Sequence, residues 1–311
     1  MIVSVEQASK IIKEGNVVAI PTETVYGLAA DCFNANAVEK TFQTKGRPAD
    51  NPLIVHICNE EQLGLLSNEV PRDALILAKH FWPGPLTLIL PKESAVPDIV
   101  TGGLSTVAVR MPDHPLTLSL IKETGPLTAP SANKSGCPSP TKALHVENEF
   151  SGSISVLDGG TCAIGLESTV LDLTQKPYTI LRPGFVTAGD VEDLLNTKVL
   201  ESAANKTKLR GSPGTRYTHY KPSAEVQWFA TENPPNDKDA YYITHSIEPE
   251  SAHTIFFYDA DFLSLAKNLY DHFRTADHLG FRKIYIENLP SDQKHHMIAP
   301  LKDRINRAIS L

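Results

Sequence analysis

The sequence predicts an α/β (α+β) protein in which a twisted mixed-sheet domain precedes a small Rossmann-like α/β domain. Strand-like runs outnumber helical patterns in the first 200 residues and do not alternate regularly with them. The apolar pattern stops near residue 202 and resumes after residue 222. The 311 residues, 41% of them apolar and 21% charged, are enough for two ordinary globular domains.

The first elements are predicted to be a helix, a strand and a second helix. Ser4 and Gln7 have the spacing of a capping box, and an apolar stripe follows them, so a helix should run from there to Gly15. We expect the buried strand at 17–20 and the second helix at 37–45, with Asn36 as its N-cap.

The remaining elements follow from short apolar runs bounded by Pro or Gly. In the first domain, strands are predicted at 53–57, 86–90, 106–111, 154–157, 169–173 and 179–181, and helices at 72–80, 116–123 and 190–196. In the second domain, strands are predicted at 225–229, 240–243, 254–258 and 283–287, with helices at 261–278 and after 292. This order favours a mixed sheet over a doubly wound one.

The predicted domains are residues 1–201 and 223–311, joined by a linker at 202–222. The linker is interpreted as basic because residues 205–222 contain five Lys and Arg and no acid. Residues 1–200, in contrast, carry 15 Lys and Arg against 22 Asp and Glu. An acidic main domain argues against broad, charge-driven nucleic-acid binding, so direct RNA binding should be weak or absent.

The composition also bears on location and on metals. The four cysteines are scattered without a C-x-x-C pair, so we expect reduced thiols and no zinc knuckle. No basic stretch followed by an apolar run opens the chain, and no segment approaches the roughly 18 apolar residues of a membrane span. We therefore expect a cytoplasmic protein with no membrane contact and no protein-bound metal.

Two polar segments could bind a ligand. Thr22, Glu23 and Thr24 follow a buried strand and could hold a small polar molecule, although taken alone the segment favours a capped turn. Lys45 and Arg47 lie on either side of a glycine at a helix end and could bind a triphosphate between them. On spacing alone, these two cations could instead complement the helix dipole.

Other candidate groups lie at strand ends. Alternation along residues 53–57 puts Ile54 and His56 on one face, so His56 could touch a ligand or be an ordinary strand histidine. Arg110 ends an apolar strand and needs a counter-charge, which a bound phosphate would supply. The sequence has no phosphate-loop, dinucleotide or nucleophile-elbow motif.

Taken in order, seven stretches resemble the YrdC-type threonylcarbamoyl-AMP synthases: PTETVYGL, KGRPADNPLIVH, WPGPLTLIL, VAVRMP, TAPSANKSG, GLESTV and ILRPG. The resemblance covers about residues 5–190. The stretch SPGTRYTHYKP further resembles the long subclass, which has an extra C-terminal domain. The resemblance implies a YrdC-like sheet domain with a large concave cleft.

The resemblance also implies a reaction, in which L-threonine, bicarbonate and ATP give threonylcarbamoyl-AMP and pyrophosphate, with Mg²⁺ accompanying ATP. The product would feed the threonylcarbamoyladenosine modification of tRNA next to the anticodon, installed by a partner transferase. An RNA-binding module and a carbamoyl-transfer domain of the hydrogenase-maturation type are the alternatives. Acidic composition weighs against the first, and the missing C-x-x-C pairs weigh against the second.

The site residues are carried over from the resemblance motif by motif. The implied threonine contacts are Thr24, His56, Thr128 and Ser168. The implied nucleotide contacts are Lys45, Arg47, Asn51, Thr106, Arg110, Ser131, Asn133, Ser139 and Arg182. Of these, Lys45, Arg47 and Arg110 are expected to act in catalysis by neutralising phosphate charge. Tyr217 and Tyr220 in the linker are expected to close over the substrate as a lid, although the linker could equally be a solvated spacer.

Overall fold

The structure is a computed structural model that describes residues 1–201, 220–249, 252–291 and 295–309. In the first part of the chain the strands are β1 (Val18–Ile20), β2 (Gly27–Asp31), β3 (Ile54–His56), β4 (Leu86–Pro91), β5 (Thr106–Arg110), β6 (Leu127–Thr128), β7 (Thr169–Asp172), β8 (Tyr178–Arg182) and β9 (Val199–Glu201). The helices are α1 (Val5–Lys13), α2 (Ala35–Lys45), α3 (Leu63–Leu66), α4 (Arg72–Phe81), α5 (Asp98–Thr101), α6 (Pro115–Thr124), α7 (Ala143–Glu149) and α8 (Ala188–Leu195).

These strands form one nine-stranded sheet in the order β1-β2-β6-β3-β5-β4-β7-β8-β9. Three neighbouring pairs are parallel, namely β3 with β5, β4 with β7 and β8 with β9. The others are antiparallel. The predicted mixed sheet is therefore confirmed.

Alternation along β3 decides which side chains reach the functional face. Leu53, Val55 and Ile57 belong to the main apolar core under the sheet. Ile54 lies on the opposite face in a small apolar cluster, as the sequence predicted. His56 shares that face, and the parallel register places it directly beside Arg110 on β5.

The ends of α1 and α2 can be compared with the caps that the sequence predicts. The capping box of Ser4 and Gln7 is present at the start of α1. The N-cap predicted for α2 was wrong, because Asn34 and not Asn36 accepts the hydrogen bond from the Ala37 amide. Gly46 ends α2 in the left-handed region with φ of 59°, a conformation that suits glycine.

Several short elements were missed. β2 begins at Gly27, shortly after the polar segment at 22–24, and β6 has only two residues, so neither gave an alternating run. The strand β9 and the helix α7 were not predicted either. Conversely, the strand predicted at 154–157 is wrong, since Val156 makes only isolated bridges to Ile2 and Ala19.

The second domain is built on a parallel sheet, as predicted. Its strands are β10 (Glu225–Phe229), β11 (Tyr241–Thr244), β12 (Thr254–Phe257) and β13 (Lys283–Glu287), in the order β10-β13-β11-β12. Its helices are α9 (Phe262–His278) and α10 (Ile298–Ile309). The domain's core also takes in Val25 and Leu166 from the first domain, so the two domains share apolar packing.

Polar contacts reinforce that packing along α9. Asp271 accepts hydrogen bonds from Lys142 at 2.7 Å and pairs with His145 at 2.9 Å, and Arg274 pairs with Glu149 at 2.9 Å. A Cβ on Gly165 would lie 2.5 Å from the Lys267 Cα, so only glycine permits this approach.

The predicted linker at 202–222 lies outside the described residues except for its last three. No helix in the described ranges is long and apolar enough to span a membrane.

Candidate functional site

An open cavity lies above the face of the sheet that carries His56 and Arg110, and its space, counted together with the part open to solvent, is about 610 Å³. Its lining combines hydroxyl, imidazole, carboxylate and guanidinium groups with a small apolar part: Thr22, Thr24, Val25, Gly27, Arg47, Pro52, Leu53, Ile54, His56, Arg110, Ala129, Pro130, Ser131, Glu167, Ser168, Arg182 and Tyr220. Such a mixture suits a polar, anionic ligand held by a few directed groups.

The turn after β1 supplies one wall. Thr22 Oγ1 lies 2.8 Å from Thr24 Oγ1 and donates to the Val25 carbonyl at 2.7 Å, so both hydroxyls are fixed in place. Arg110 Nη1 donates to Thr24 Oγ1 at 2.9 Å. The capped-turn and ligand interpretations of this segment therefore coexist, because the turn holds its hydroxyls at the cavity.

The counter-charge of Arg110 comes from the protein. Glu23 Oε1 lies 2.5 Å from Arg110 Nη2, and both side chains are buried. The need for a counter-charge was predicted, but Glu23 meets it and a bound phosphate is not needed for this purpose. Arg110 instead lies between Glu23 and the hydroxyl of Thr24.

His56 presents a neutral imidazole to the cavity. Burial, assisted by the charge of Arg110, lowers the pKa of His56 to about 3. Its Nδ1 is buried and has no hydrogen-bond partner within the described residues. A buried polar atom of this kind usually has a partner, so a ligand group is a natural one.

The start of β7 and the end of β8 form a second polar wall. Arg182 donates from Nε to the Ser168 carbonyl at 3.0 Å and from Nη2 to the Ser168 hydroxyl at 3.1 Å. The same hydroxyl lies 2.8 Å from Thr87 Oγ1 on β4. Ser168 and Arg182 therefore hold each other at the cavity edge.

The segment after α2 is folded on itself. Arg47 Nη2 donates to the Pro52 carbonyl at 3.0 Å and to the Asn51 carbonyl at 3.3 Å, while the residue still lines the cavity. The Asn51 side chain is fully buried, and neither of its amide atoms has a hydrogen-bond partner within the described ranges.

Lys45 lies behind the loop at 131–133. Its ammonium group donates to the Asn133 carbonyl at 2.5 Å and also to the Ser131 carbonyl, and only 2% of the residue is exposed. Burial, and next the charge of Arg47, lower the pKa of Lys45 well below its ordinary value. Lys45 therefore shapes the Ser131 loop, and it is not part of the cavity lining.

Glu167 joins this site to the C-terminal domain. Its carboxylate accepts hydrogen bonds from Ser139 Oγ at 2.6 Å, Tyr270 OH at 3.0 Å and Arg304 Nε at 2.9 Å. Burial alone would raise the pKa of Glu167, but the charges of Arg304 and Arg182 and the Ser139 hydrogen bond outweigh it and lower the pKa to about 2. Neither Tyr270 nor Arg304 was predicted, and no local sequence signal marks them.

Tyr220, from the end of the predicted linker, also reaches the cavity. Its ring centroid lies 5.3 Å from that of Tyr270, and the Arg304 guanidinium lies 5.7 Å from the Tyr220 ring. The site is thus lined by the first domain and bordered by the second.

Two family models match the chain along nearly its whole length. Residues 10–184 match the Sua5/YciO/YrdC model, whose description is telomere recombination. The chain belongs to this family. Residues 186–310 match the model of the C-terminal domain of threonylcarbamoyl-AMP synthase, so the chain is a long-form member.

Curated Sua5/YrdC relatives carry the name threonylcarbamoyl-AMP synthase. The protein of Pyrococcus abyssi is 52% identical over 223 residues, which are 70% of this chain and 66% of that protein. The protein of Bacillus subtilis is 50% identical over 226 residues, which are 71% and 65%. The aligned part thus spans just under two thirds of those relatives' length.

A solved structure of the family matches more of the chain. The crystal structure of Pyrococcus abyssi Sua5 complexed with L-threonine has a TM-score of 0.90 and 39% identity, and the match covers 99% of this chain and 97% of that chain. The two-domain fold is therefore shared.

Within this Sua5/YrdC member the carried-over residues fall into three groups. Eight line the cavity, namely Thr24, Arg47, His56, Arg110, Ser131, Ser168, Arg182 and Tyr220. Six are absent from its lining, namely Lys45, Asn51, Thr106, Thr128, Asn133 and Ser139. Tyr217 lies outside the described residues.

The second group is held mainly by protein contacts. Thr128 donates its hydroxyl to the Ala30 carbonyl at 3.3 Å, and Asn133 donates its amide to the carbonyls of Lys134 and Cys137 at 2.7 and 2.9 Å. Thr106 begins β5, four residues before Arg110 on the same face. Their direct contacts with substrate remain predictions.

Proposed function

We propose that this protein is an L-threonylcarbamoyladenylate synthase. The reaction joins L-threonine, bicarbonate and ATP into threonylcarbamoyl-AMP, with release of pyrophosphate and water. One observation carries the proposal, namely that a single cavity gathers Thr24, His56 and Arg110 with Arg47 and Arg182. The relatives named threonylcarbamoyl-AMP synthase and the threonine-bound family structure support it.

The threonine subsite is proposed at Thr24, His56 and Arg110. A guanidinium fixed beside a hydroxyl can pair with the substrate carboxylate through charge-assisted hydrogen bonds. The neutral imidazole of His56 can accept or donate without adding charge. Ser168, held by Arg182, offers a further hydroxyl, and Thr128 supports the strand beneath.

The nucleotide subsite is proposed at Arg47, Ser131 and Arg182. The two guanidinium groups supply positive charge for phosphate oxygens. The unsatisfied amide of Asn51 and the unsatisfied Oδ1 of Asn133 support a ligand nearby, because buried amide atoms are rarely left without partners. Lys45, Thr106 and Ser139 complete the predicted ATP-binding set, with Lys45 and Ser139 acting through the loops that they hold. Arg110, which the resemblance implied as a nucleotide contact, is proposed for the threonine carboxylate instead, because Glu23 already balances its charge and it holds the Thr24 hydroxyl.

The chemistry follows from positioning. The threonine amine adds to carbon dioxide formed from bicarbonate, giving a carbamate. A carbamate oxygen then attacks the α-phosphorus in line, the bond to the β-phosphate oxygen breaks, and pyrophosphate leaves. No protein nucleophile is needed. The protein contributes proximity, to which Arg110 adds by orienting threonine, and the cationic side chains Arg47 and Arg182, which offset the phosphate charge.

Magnesium is proposed to accompany ATP. The described residues contain no group of three or more His, Cys, Asp or Glu side chains that could hold a metal. Glu167, the carboxylate in the cavity lining, is already engaged by Arg304, Ser139 and Tyr270. The phosphates, and not a protein cage, would hold the ion, where it would neutralise charge on the departing pyrophosphate.

The linker next to the cavity and the transfer of the product are also part of the proposed function. Tyr220 already borders the cavity, which supports a lid formed by the linker with Tyr217. The product would pass to the tRNA threonylcarbamoyl transferase in the cytoplasm, with no strong RNA binding by this chain. A lid would protect the mixed anhydride from water.

Pyrophosphate release tests the proposal. Purified protein is supplied with ATP, Mg²⁺, L-threonine and bicarbonate, and each of the last two is omitted in turn. We expect release to require both. Serine and valine serve as matched controls for threonine, since each lacks one of its side-chain features. Release that does not depend on threonine would overturn the proposal.

A further inference from the structure

We infer that Glu23 is a positioning residue for threonine recognition, which it serves by holding the Arg110 guanidinium against Thr24. The inference rests on the proposed function, because it concerns the amino-acid subsite of that reaction. Glu23 is not part of the cavity lining, so it acts through Arg110 and not on the ligand.

The geometry around Arg110 fixes its guanidinium from three sides. Nε donates to the Gly84 carbonyl at 3.1 Å, and Nη1 donates to Thr24 Oγ1 at 2.9 Å. Nη2 forms an ion pair with Glu23 Oε1 at 2.5 Å, a charge contact whose angles do not meet those of a hydrogen bond. Only 4% of the Arg110 side chain and 8% of the Glu23 side chain are exposed, so water contributes little to neutralising either charge.

Glu23 is itself held rigidly. Its Oε2 accepts a hydrogen bond from the Asp113 amide at 3.1 Å, and its backbone carbonyl accepts one from the Ile164 amide at 2.8 Å. The carboxylate is therefore anchored to the segment after β5, and the Glu23 backbone is anchored to the segment that packs on the C-terminal domain. It cannot move without disturbing both.

This arrangement prepares the site before threonine arrives. A buried arginine needs a counter-charge, and without Glu23 it would turn towards another acceptor or draw in water. With Glu23 in place, Arg110 already points at Thr24, so an incoming carboxylate meets an oriented donor and loses less free energy to reorganisation. The alternative is that the ion pair of Glu23 and Arg110 stabilises the fold without affecting threonine binding.

The experiment is a double-mutant cycle on threonine binding and turnover. The variants are Glu23→Gln, Arg110→Gln and the double variant, and Asp98→Asn, which breaks an exposed ion pair with Lys92, is the matched control. Threonine affinity is measured by calorimetry, KM is measured for threonine and for ATP separately, and thermal unfolding reports the fold.

We expect Glu23→Gln to raise the threonine KM by at least about tenfold while the ATP KM changes less than about twofold. We expect the double variant to bind threonine no worse than Arg110→Gln, because Glu23 acts through Arg110. Glu23→Asp, which keeps the charge, should recover part of the affinity, and it replaces Glu23→Gln in the cycle should that variant not fold.

Two results would overturn the inference. One is an equal rise of both KM values, which a general loss of structure produces. The other is an additive effect in the double variant. A wild-type protein that binds threonine without threonine-dependent pyrophosphate release would refute the proposed function instead. The calorimetric double-mutant cycle would still test whether Glu23 supports threonine binding through Arg110.

Discussion

Arg304, on the last helix, donates from Nε to the carboxylate of Glu167 in the cavity wall at 2.9 Å. Arg304 also donates to the Glu167 and Pro183 carbonyls, at 3.2 and 2.9 Å, and none of it is exposed. Residues 137 positions apart thus share one buried ion pair. The C-terminal domain is therefore part of the structure that supports the cavity.

Replacing Arg304 should loosen the contact between the domains. We predict that Arg304→Met lowers the free energy of unfolding by about 3 to 5 kcal/mol, because it leaves a buried carboxylate without its main partner. Urea denaturation measures the change. Lys10→Met is the control, since the Lys10 ammonium group is exposed and pairs with Glu14 at the surface. A loss below about 1 kcal/mol, typical of surface pairs, would contradict the prediction.

The same carboxylate gives a pH dependence. The pKa of Glu167 falls from an ordinary 4.5 to about 2 in the folded protein, so the unfolded chain binds more protons between these values. The stability that Glu167 contributes is complete above about pH 4.5 and is lost as pH falls through about 2. At about 1.4 kcal/mol per unit, the contribution is about 3 kcal/mol.

Denaturant titrations between pH 2 and 6 measure this effect as the difference between the wild type and Glu167→Gln. The free energy of unfolding of Glu167→Gln should fall less steeply than that of the wild type as the pH decreases. Glu69→Gln, at an exposed position, should follow the wild type. Parallel curves for Glu167→Gln and the wild type would contradict the assignment.

His56 should remain neutral across the physiological range. Its pKa of about 3 lies below the ordinary 6.5, so between these two pH values the unfolded state binds more protons than the folded state. The free energy of unfolding that His56 contributes therefore rises as the pH increases from about 3 to 6.5. We predict that the His56 imidazole resonances in NMR spectra do not move between pH 5 and 8. A titration centred near 6.5 would show that the site is more hydrated than the structure indicates.

The two subsites should respond separately to substitution. We predict that Thr24→Ala raises the threonine KM by about tenfold or more, because Arg110 loses its hydroxyl partner in the cavity. Arg47→Ala should act mainly on the ATP KM. Steady-state kinetics with each substrate varied gives the comparison. Equal effects of both changes on both substrates would rule out the division.

Lys45 should affect nucleotide binding through the loop that it holds. We predict that Lys45→Met raises the ATP KM by about tenfold, since the carbonyls of Ser131 and Asn133 lose a charged donor. Lys40→Met is the matched control on the same helix, because Lys40 donates to Gly15 and Asn16, away from that loop. An unchanged ATP KM in Lys45→Met would sink the assignment.

Local signals predicted much of the fold. The capping box of Ser4 and the alternation around His56 follow from spacing within a few residues, and the strand positions of the second domain follow from short apolar runs. Elements of two or three residues, such as β6, are too short for periodicity to show. They depend on long-range pairing, which the order of residues does not reveal.

The site was predictable where its residues lie in compact motifs and not where distant segments meet. Thr24, Arg47 and Ser168, which were carried over from the family resemblance, all line the cavity. The counter-charge of Arg110 was expected from phosphate, but Glu23 supplies it from 87 residues away. The role of Arg304 depends on the docking of a separate domain, which no local pattern encodes.

The central claim is that the product contains a carbon atom from bicarbonate. The direct measurement is mass spectrometry of the reaction with ATP, Mg²⁺, L-threonine and either ordinary or ¹³C-labelled bicarbonate. We expect threonylcarbamoyl-AMP that is heavier by the mass of one label when labelled bicarbonate is used. An unlabelled threonyl-adenylate, or AMP with no threonine adduct, would contradict it.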